Sequence, residues 1–422
     1  MSVRRGLLGA GVTAAVTVVA LTAPAIAAPG AVDRTATRQA IDAAVKDGVP
    51  GATATARDVH GTWSAVSGIG DLRTGAQRSA RDRYRVGSIT KTFVSTVLLQ
   101  LEAEGRLSLD DTVEKWLRGL VHGHGHDGRR ITVRQLLNHT SGIYNYTADD
   151  TFGRTYFFKD GFLRHRYDTL RPEALVRIAT SHEPDFAPGA GWNYSNTNYV
   201  LAGMVIERVT GHSYAREIRT RIVEPLGLHA TSLPGTRATV PRPSSRACGK
   251  PAETATGPTY DVTTLNPSLA SSAGEMISDS ADLIRFYSAL LRGGLLPPRQ
   301  LKEMKTTIKA EGIPDAGYGL GLIERRLSCG VHVWGPDGGI QGSSSSAVTT
   351  QDGRHSLAFN FNGDWSGDGD AVLEAEYRPA GPSARFPITV TPGIPAGPAH
   401  SPTPGFRCKS IRPGHETRRS FV

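Results

Sequence analysis

Apolar and polar residues alternate in two short runs near the start of the chain, Ala52-Thr-Ala-Thr-Ala-Arg57 and Thr62-Trp-Ser-Ala-Val-Ser67, with Gly61 between them. Period two marks a strand, so the pair predicts a hairpin over 52–70. The pattern then changes. Residues 88–104 are apolar on nearly every face of a helix, which predicts a buried helix closed by Gly105. Between roughly 106 and 310 the spacing is helical at 110–116, 132–137, 172–178, 197–209, 213–222 and 281–291, with Gly and Pro clusters between. Alternation returns at 332–334, 344–350 and 356–362, with Asp352-Gly353 as a hairpin turn. Strands at both ends bracketing a helical middle predict an α+β fold. One antiparallel sheet is built from the N- and C-terminal strands and flanked by helices, including that of 88–104, and an all-helical region is added to it.

The two termini depart from this pattern. Arg4 and Arg5, an apolar run over 7–21 and Ala25-Ile26-Ala27 read as a signal peptide over 1–27 rather than an anchor. The run is short and ends in Pro24 and alanines. The paired arginines also fit the twin-arginine route. Residues 379–422 hold eight prolines between Pro379 and Pro404 and end in a basic, aperiodic stretch, so they read as a tail outside the folded domain of 28–378. Export fits the three cysteines, Cys248, Cys329 and Cys408, which allow one disulfide.

With 39% apolar residues in 422, the chain can bury a substantial core. Forty-eight basic against 39 acidic residues give a formal charge of +9. The positive charge is scattered and lacks interleaved aromatics, which argues against nucleic acid. In an exported protein it fits anionic cell-wall polymers or a solvated surface. His122-Gly-His-Gly-His126-Asp127 reads as a flexible connection, with no metal site and no cofactor expected.

The candidate chemistry sits at the start of the predicted 88–104 helix, in Val86-Gly-Ser88-Ile-Thr-Lys91. Positions i and i+3 share a helix face, so the Ser88 hydroxyl and the Lys91 amine can meet, and an unprotonated lysine can take the serine's proton. With 31 Ser and nine Lys in the chain, chance supplies about 0.7 such pairs. The surroundings carry the meaning. They are Ile131-Thr-Val-Arg-Gln-Leu-Leu-Asn-His-Thr-Ser-Gly142, Pro188-Gly-Ala-Gly-Trp-Asn-Tyr194-Ser-Asn196-Thr-Asn-Tyr199, Ser272-Ala-Gly-Glu-Met-Ile-Ser278 and Gly317-Tyr-Gly-Leu-Gly-Leu322.

In order and wording these motifs resemble the serine D-alanyl-D-alanine carboxypeptidases of streptomycetes, within the wider group of class C β-lactamases and related esterases. The resemblance covers about residues 35–377. It implies the β-lactamase/penicillin-binding-protein transpeptidase-like fold, with Ser88 as acylated nucleophile, Lys91 as its proton partner, Tyr194 as proton shuttle to the leaving group and Asn196 as holder of the substrate amide. From the residues alone, 194–196 also reads as a helix entry capped by Asn196 or Thr197. A Lys and a Tyr serve as bases only where burial and neighbouring positive charge hold their pKa down.

The third motif departs from the family. In Val333-Trp-Gly-Pro336-Asp337-Gly338-Gly339, Pro336 stands where the family has a cation and Asp337 where a hydroxyl residue is common. Asp337, Gly338 and Gly339 are expected to contact substrate, with backbone N–H groups of Ser88 and Gly339 forming the oxyanion hole. Ile323 stands near the family's carboxylate-binding arginine. A lost cation and a gained anion disfavour a substrate carboxylate. Trp334-Gly335 resembles the third motif of related esterases. Relatives also have a cysteine after the last helix, where this chain has Arg378-Pro379, so Cys408 becomes the candidate partner of Cys329.

The expected function is therefore an exported serine hydrolase acting on peptidoglycan stem peptides as a D-alanyl-D-alanine carboxypeptidase, with β-lactams as inhibitors. The alternatives are an esterase, β-lactamase or D-aminopeptidase/amidase acting on a small ester or amide, and a catalytically decayed wall-binding protein.

Overall fold

The computed structural model describes residues 33–251 and 257–378. The expected signal peptide, the tail and Cys408 lie outside the described residues.

The N-terminal hairpin forms as the alternation predicts. Strand β1 (Gly51–Asp58) pairs antiparallel with β2 (Gly61–Asp71), setting Ala54 opposite Ala65. The alternation conceals one fact: β1 is buried on both faces. Ala52, Ala54 and Ala56 point into one core, while Thr53 and Thr55 are buried on the other face. The Thr55 hydroxyl is satisfied by Ser64 at 3.0 Å, so burial leaves it partnered.

The hairpin joins a ten-stranded sheet. Its further strands are β3 (Ala76–Gln77), β4 (Ile308–Lys309), β5 (Ala316–Tyr318), β6 (Ile323–Arg326), β7 (His332–Trp334), β8 (Asp337–Ile340), β9 (Ser343–Thr350) and β10 (Ser356–Phe361). The order is β4-β5-β6-β7-β9-β10-β1-β2-β3, with β8 paired to β9. N-terminal β1 thus lies beside C-terminal β10, in the register Ala54 to Phe359.

Two cores cover the two faces. Helices α1 (Thr35–Lys46) and α5 (Gly369–Tyr377) close one face around Ile41, Phe359, Phe361 and Leu373. A clasp ties them together. Glu376 accepts from Arg34 at 2.9 Å and Thr37 at 2.8 Å and meets His355 at 2.7 Å, while Arg34 also reaches Asp58 at 2.7 Å. The other face carries α2 (Thr90–Ala103), the helical region with α3 (Asn196–Thr210), and α4 (Ser280–Leu291). Phe93 of α2 stacks on Phe286 of α4, ring centroids 3.7 Å apart.

Some elements are shorter than their spacing predicts. The helix expected over 110–116 is only Val113–Trp116, because the Thr112 side chain caps the Lys115 N–H and fixes the start there. The helix expected over 213–222 runs from Tyr214–Ile218 and then widens into a π turn over Arg219–Val223. Pro225 follows, and its missing N–H and ring exclude a regular helical bond at that point. The histidine tract forms a small hairpin, His122–Gly123 against His126–Asp127, instead of a flexible connection.

Candidate active site

Two glycines bring the nucleophile loop and the third-motif strand into backbone contact. Gly87 has φ +53°, and a Cβ there would stand 2.6 Å from the Gly339 carbonyl oxygen. A Cβ on Gly338 would stand 1.9 Å from the Val86 oxygen. Only glycine fits either position. Ser88 therefore sits on a 3₁₀ turn, Gly87–Ile89, directly beside β8 and at the head of α2. Thr90 stitches that turn down, donating to Gly87 O at 2.7 Å and accepting from Met276 N at 3.2 Å.

In the first turn of α2, three residues after Ser88, Lys91 is buried. Its Nζ lies 3.0 Å from Ser88 Oγ, 2.8 Å from Asn196 Oδ1 and 2.7 Å from Ala273 O. No carboxylate is among these partners. Burial alone pushes the amine well below its ordinary pKa. A neutral amine has two N–H groups and a lone pair. Asn196 Oδ1 and the Ala273 carbonyl can only accept, so they take the two hydrogens, and the lone pair is left facing the Ser88 hydroxyl.

Tyr194 lies at the same point, its hydroxyl hydrogen-bonded to Ser88 and its ring 4.9 Å from Lys91 Nζ. Here the sequence expectation fails in sign. Burial pushes the phenol upward, the Ser88 hydrogen bond opposes this only in part, and Asp337 adds to the rise. Tyr194 is thus a phenol able to donate a proton, and Lys91 is the available base.

The helix entry also differs in detail. Ser195 takes the N-cap position and Asn196 is the first residue of α3. Asn196 is thereby free to face inward, holding Lys91 through Oδ1 and donating Nδ2 to Thr147 Oγ1 at 3.1 Å.

A buried chain of polar groups beneath Tyr194 was not assigned a role by sequence reasoning. Ser141 Oγ donates to Asn198 Oδ1 at 2.6 Å, and Asn198 Nδ2 reaches His139 Nδ1 at 3.2 Å. The Ser195 N–H also donates to Nδ1, which makes Nδ1 an acceptor and places the proton on Nε2, facing Tyr318 Oη at 3.1 Å. The His139 ring lies 4.4 Å from that of Tyr194. Burial holds the His139 imidazole well below its ordinary pKa, so it stays neutral. The histidine lies within the 131–142 motif, but nothing local in the sequence marks it as a neighbour of Tyr194.

The third motif divides. Gly339 lines a cavity of about 480 Å³ together with Ser88, Asn196, Tyr146, Phe157 and Ile340. Gly338 does not line it and serves instead as the close-packing position against Val86. Asp337, expected to meet substrate, does not line it either. It pairs across the sheet with Ser346, and its carboxylate is held by Arg325. Side chains alternate along a strand, and Asp337 faces the side of Phe359 and α5, away from the nucleophile. Pro336 is buried, and Ile323 packs with Trp192, Tyr194 and Tyr318. Cys329 Sγ lies 3.7 Å from the Tyr377 carbonyl.

The chain is similar to several known proteins. The sequence profile of the Beta-lactamase family matches residues 37–379. Penicillin-binding protein 4* of Bacillus subtilis (strain 168) is 28% identical over 294 residues, 66% of this chain and 60% of that protein. Esterase EstB of Burkholderia gladioli is 33% identical over 171 residues, 39% of this chain and 42% of its own length. The matched segment thus spans three fifths or less of these curated relatives. Solved structures cover more. A D-stereospecific amidohydrolase from Streptomyces sp. is 60% identical with a TM-score of 0.78, covering 82% of this chain and 98% of that one. The D-amino acid amidase from Ochrobactrum anthropi SV3, complexed with L-phenylalanine amide, is 28% identical with a TM-score of 0.69, covering 81% and 97%. With the profile match running over most of the chain and the Ser88 helix set against a large antiparallel sheet, this protein belongs to the beta-lactamase family.

Proposed function

We propose that this protein is a serine hydrolase that cleaves small amides of D-configured amino acids through an acyl-enzyme on Ser88. The observation that carries the reading is the buried Lys91 Nζ, 3.0 Å from Ser88 Oγ and held by two acceptors, Asn196 Oδ1 and Ala273 O. Lys91 takes the Ser88 proton as Oγ attacks the amide carbonyl. The oxyanion forms against the backbone N–H groups of Ser88 and Gly339. Tyr194 gives its phenolic proton to the leaving nitrogen and is reprotonated from Lys91 as the C–N bond breaks. Water then enters, gives a proton to the same relay and cleaves the ester, restoring Ser88.

The choice of substrate rests on two supports. No cation occupies the Pro336 position, so β8 offers nothing to pair with a carboxylate on the leaving side. The 60% identity to a D-stereospecific amidohydrolase points the same way. A D-alanyl-D-alanine carboxypeptidase is the second reading, favoured by the likeness to penicillin-binding protein 4*. The assembled site argues against a decayed binding protein. We also place the enzyme outside the cytoplasm, from the 1–27 pattern, which N-terminal sequencing of the exported protein tests.

Hydrolysis rates for D- and L-amino-acid amides, set against release of D-alanine from a D-alanyl-D-alanine peptide, decide between the readings. Faster release of D-alanine than of ammonia from any D-amide overturns the first. Intact mass after fluorophosphonate treatment, unchanged in the wild type, would overturn both.

A further inference from the structure

The cavity beside Ser88 has a distal end that the chemistry above does not use. It runs along the second half of β8, lined by Gly339, Ile340 and Gln341, toward the turn into β9. There Asp364 lines the wall beside Trp365. The Asp364 carboxylate accepts from the Gly342 N–H at 2.7 Å and from the Lys250 N–H, both backbone groups. Among the described residues no side-chain cation forms an ion pair with it. Beside it, Gln341 donates Nε2 to Tyr156 O at 3.3 Å, which leaves its buried Oε1 without a partner. Asp364 and Gln341 both line the cavity, which Phe157, Phe158 and Trp365 wall as well. Lys250 lines that wall as well, its ammonium 5.2 Å over the Trp365 ring.

We propose that Asp364, with Gln341, forms a subsite for a primary ammonium group on the acyl part of the substrate, set back from the scissile carbonyl. The proposal rests on the amide-hydrolase reading. When an amide is cleaved to ammonia, the leaving group has no bulk, so a cavity of about 480 Å³ must take the acyl part. Oγ of Ser88 fixes one end of that part, and Asp364 meets the other. Apolar walls suit a methylene chain and aromatic faces tolerate a cation; burial raises the Asp364 pKa against the pull of its backbone donors, and an ammonium placed beside it supplies the counter-charge that favours the carboxylate. The ammonium has two sources of the same chemistry: a side-chain amine such as that of lysine, or the terminal amine of a dipeptide.

The test compares D-lysinamide with D-norleucinamide, and glycyl-D-phenylalaninamide with its N-acetyl derivative, on wild type, Asp364→Asn and Lys250→Ala. Asp364→Asn keeps an acceptor for Gly342 and removes only the charge. The expected result is an ammonium preference of about tenfold or more in kcat/KM in one pair, lost in Asp364→Asn and kept or increased in Lys250→Ala. The pair that shows it identifies the source. Equal rates within both pairs, or a preference that survives Asp364→Asn, overturn the subsite while leaving the amide-hydrolase reading intact. If no amide is cleaved, that reading fails. The subsite is then judged by calorimetric binding of the same amides to Ser88→Ala with and without Asp364→Asn, where equal affinities reject it.

Discussion

The imidazole of His139 lies against the phenol ring of Tyr194, centroids 4.4 Å apart, and is locked in place by Ser195 N–H, Asn198 and Tyr318. His139 itself has φ +63°, a conformation that asparagine tolerates best after glycine. His139→Asn therefore keeps the backbone and removes the support. Its kcat should fall about tenfold to a hundredfold, because small misplacements of a reacting group are costly, with KM little changed. Tyr318→Phe removes one anchor of the imidazole and should show a smaller loss of the same kind. Steady-state kinetics on a D-amide, with circular dichroism to confirm folding, check both.

Lys91 acts as a base only when neutral. Its depressed pKa implies that acylation rises with pH through an ionisation below the ordinary lysine value of 10.5 and then levels. Lys91→Arg keeps a cation that cannot give up its proton, so acylation should drop about a thousandfold or more. The rate of fluorophosphonate labelling against pH gives both results. An unchanged rate in Lys91→Arg would remove the lysine from the proton transfer.

Stability has its own acid limb at the α1–α5 clasp. Burial raises the Glu376 pKa, but donation from His355, Arg34 and Thr37 outweighs it and holds the carboxyl below the ordinary 4.5. A carboxyl lowered by folding stabilises above its unfolded pKa, and that stabilisation is lost as pH falls through the folded value. Glu376→Gln leaves Arg34 and His355 facing a neutral group. It should cost about 3 kcal/mol at neutral pH and flatten the fall in stability on acidification, read by denaturant unfolding at several pH values.

The neighbours Asp337 and Gly338 should respond in opposite ways to substitution. Asp337 is turned from the nucleophile and paired with Arg325, so Asp337→Asn should change kcat/KM on a neutral amide by less than about threefold. Gly338→Ala forces a methyl to within 1.9 Å of Val86 O. The strand must move, and activity should fall about a hundredfold. Parallel assays of the two variants check the assignment of faces.

Local pattern carried the hairpin of β1 and β2, the Ser88 helix and the pairing of N- and C-terminal strands, because each follows from periodicity of two or 3.6. Ser88, Lys91, Tyr194 and Asn196 were legible as motif residues. The side on which Asp337 falls was not, since it depends on which face of β8 packs against Val86 and Ile89, far away in sequence. The same holds for His139 and Asp364: each becomes a neighbour of the site only when Asn198, Tyr318 or Gly342 is brought up by folding. The direction of the Tyr194 shift also needed the fold, because burial without a nearby counter-charge decides it.

In the mechanism proposed above, the cradle for a developing negative charge is made of main chain, where Gly87 meets Gly339. Its composition is indifferent to the side chains around it. Gln341 and Asp364 line the same cavity farther along. Substitution at those two positions should alter substrate preference in the proposed hydrolysis while the backbone contact of Gly87 with Gly339 stays in place. Breadth of substrate and constancy of chemistry then have separate addresses in the chain.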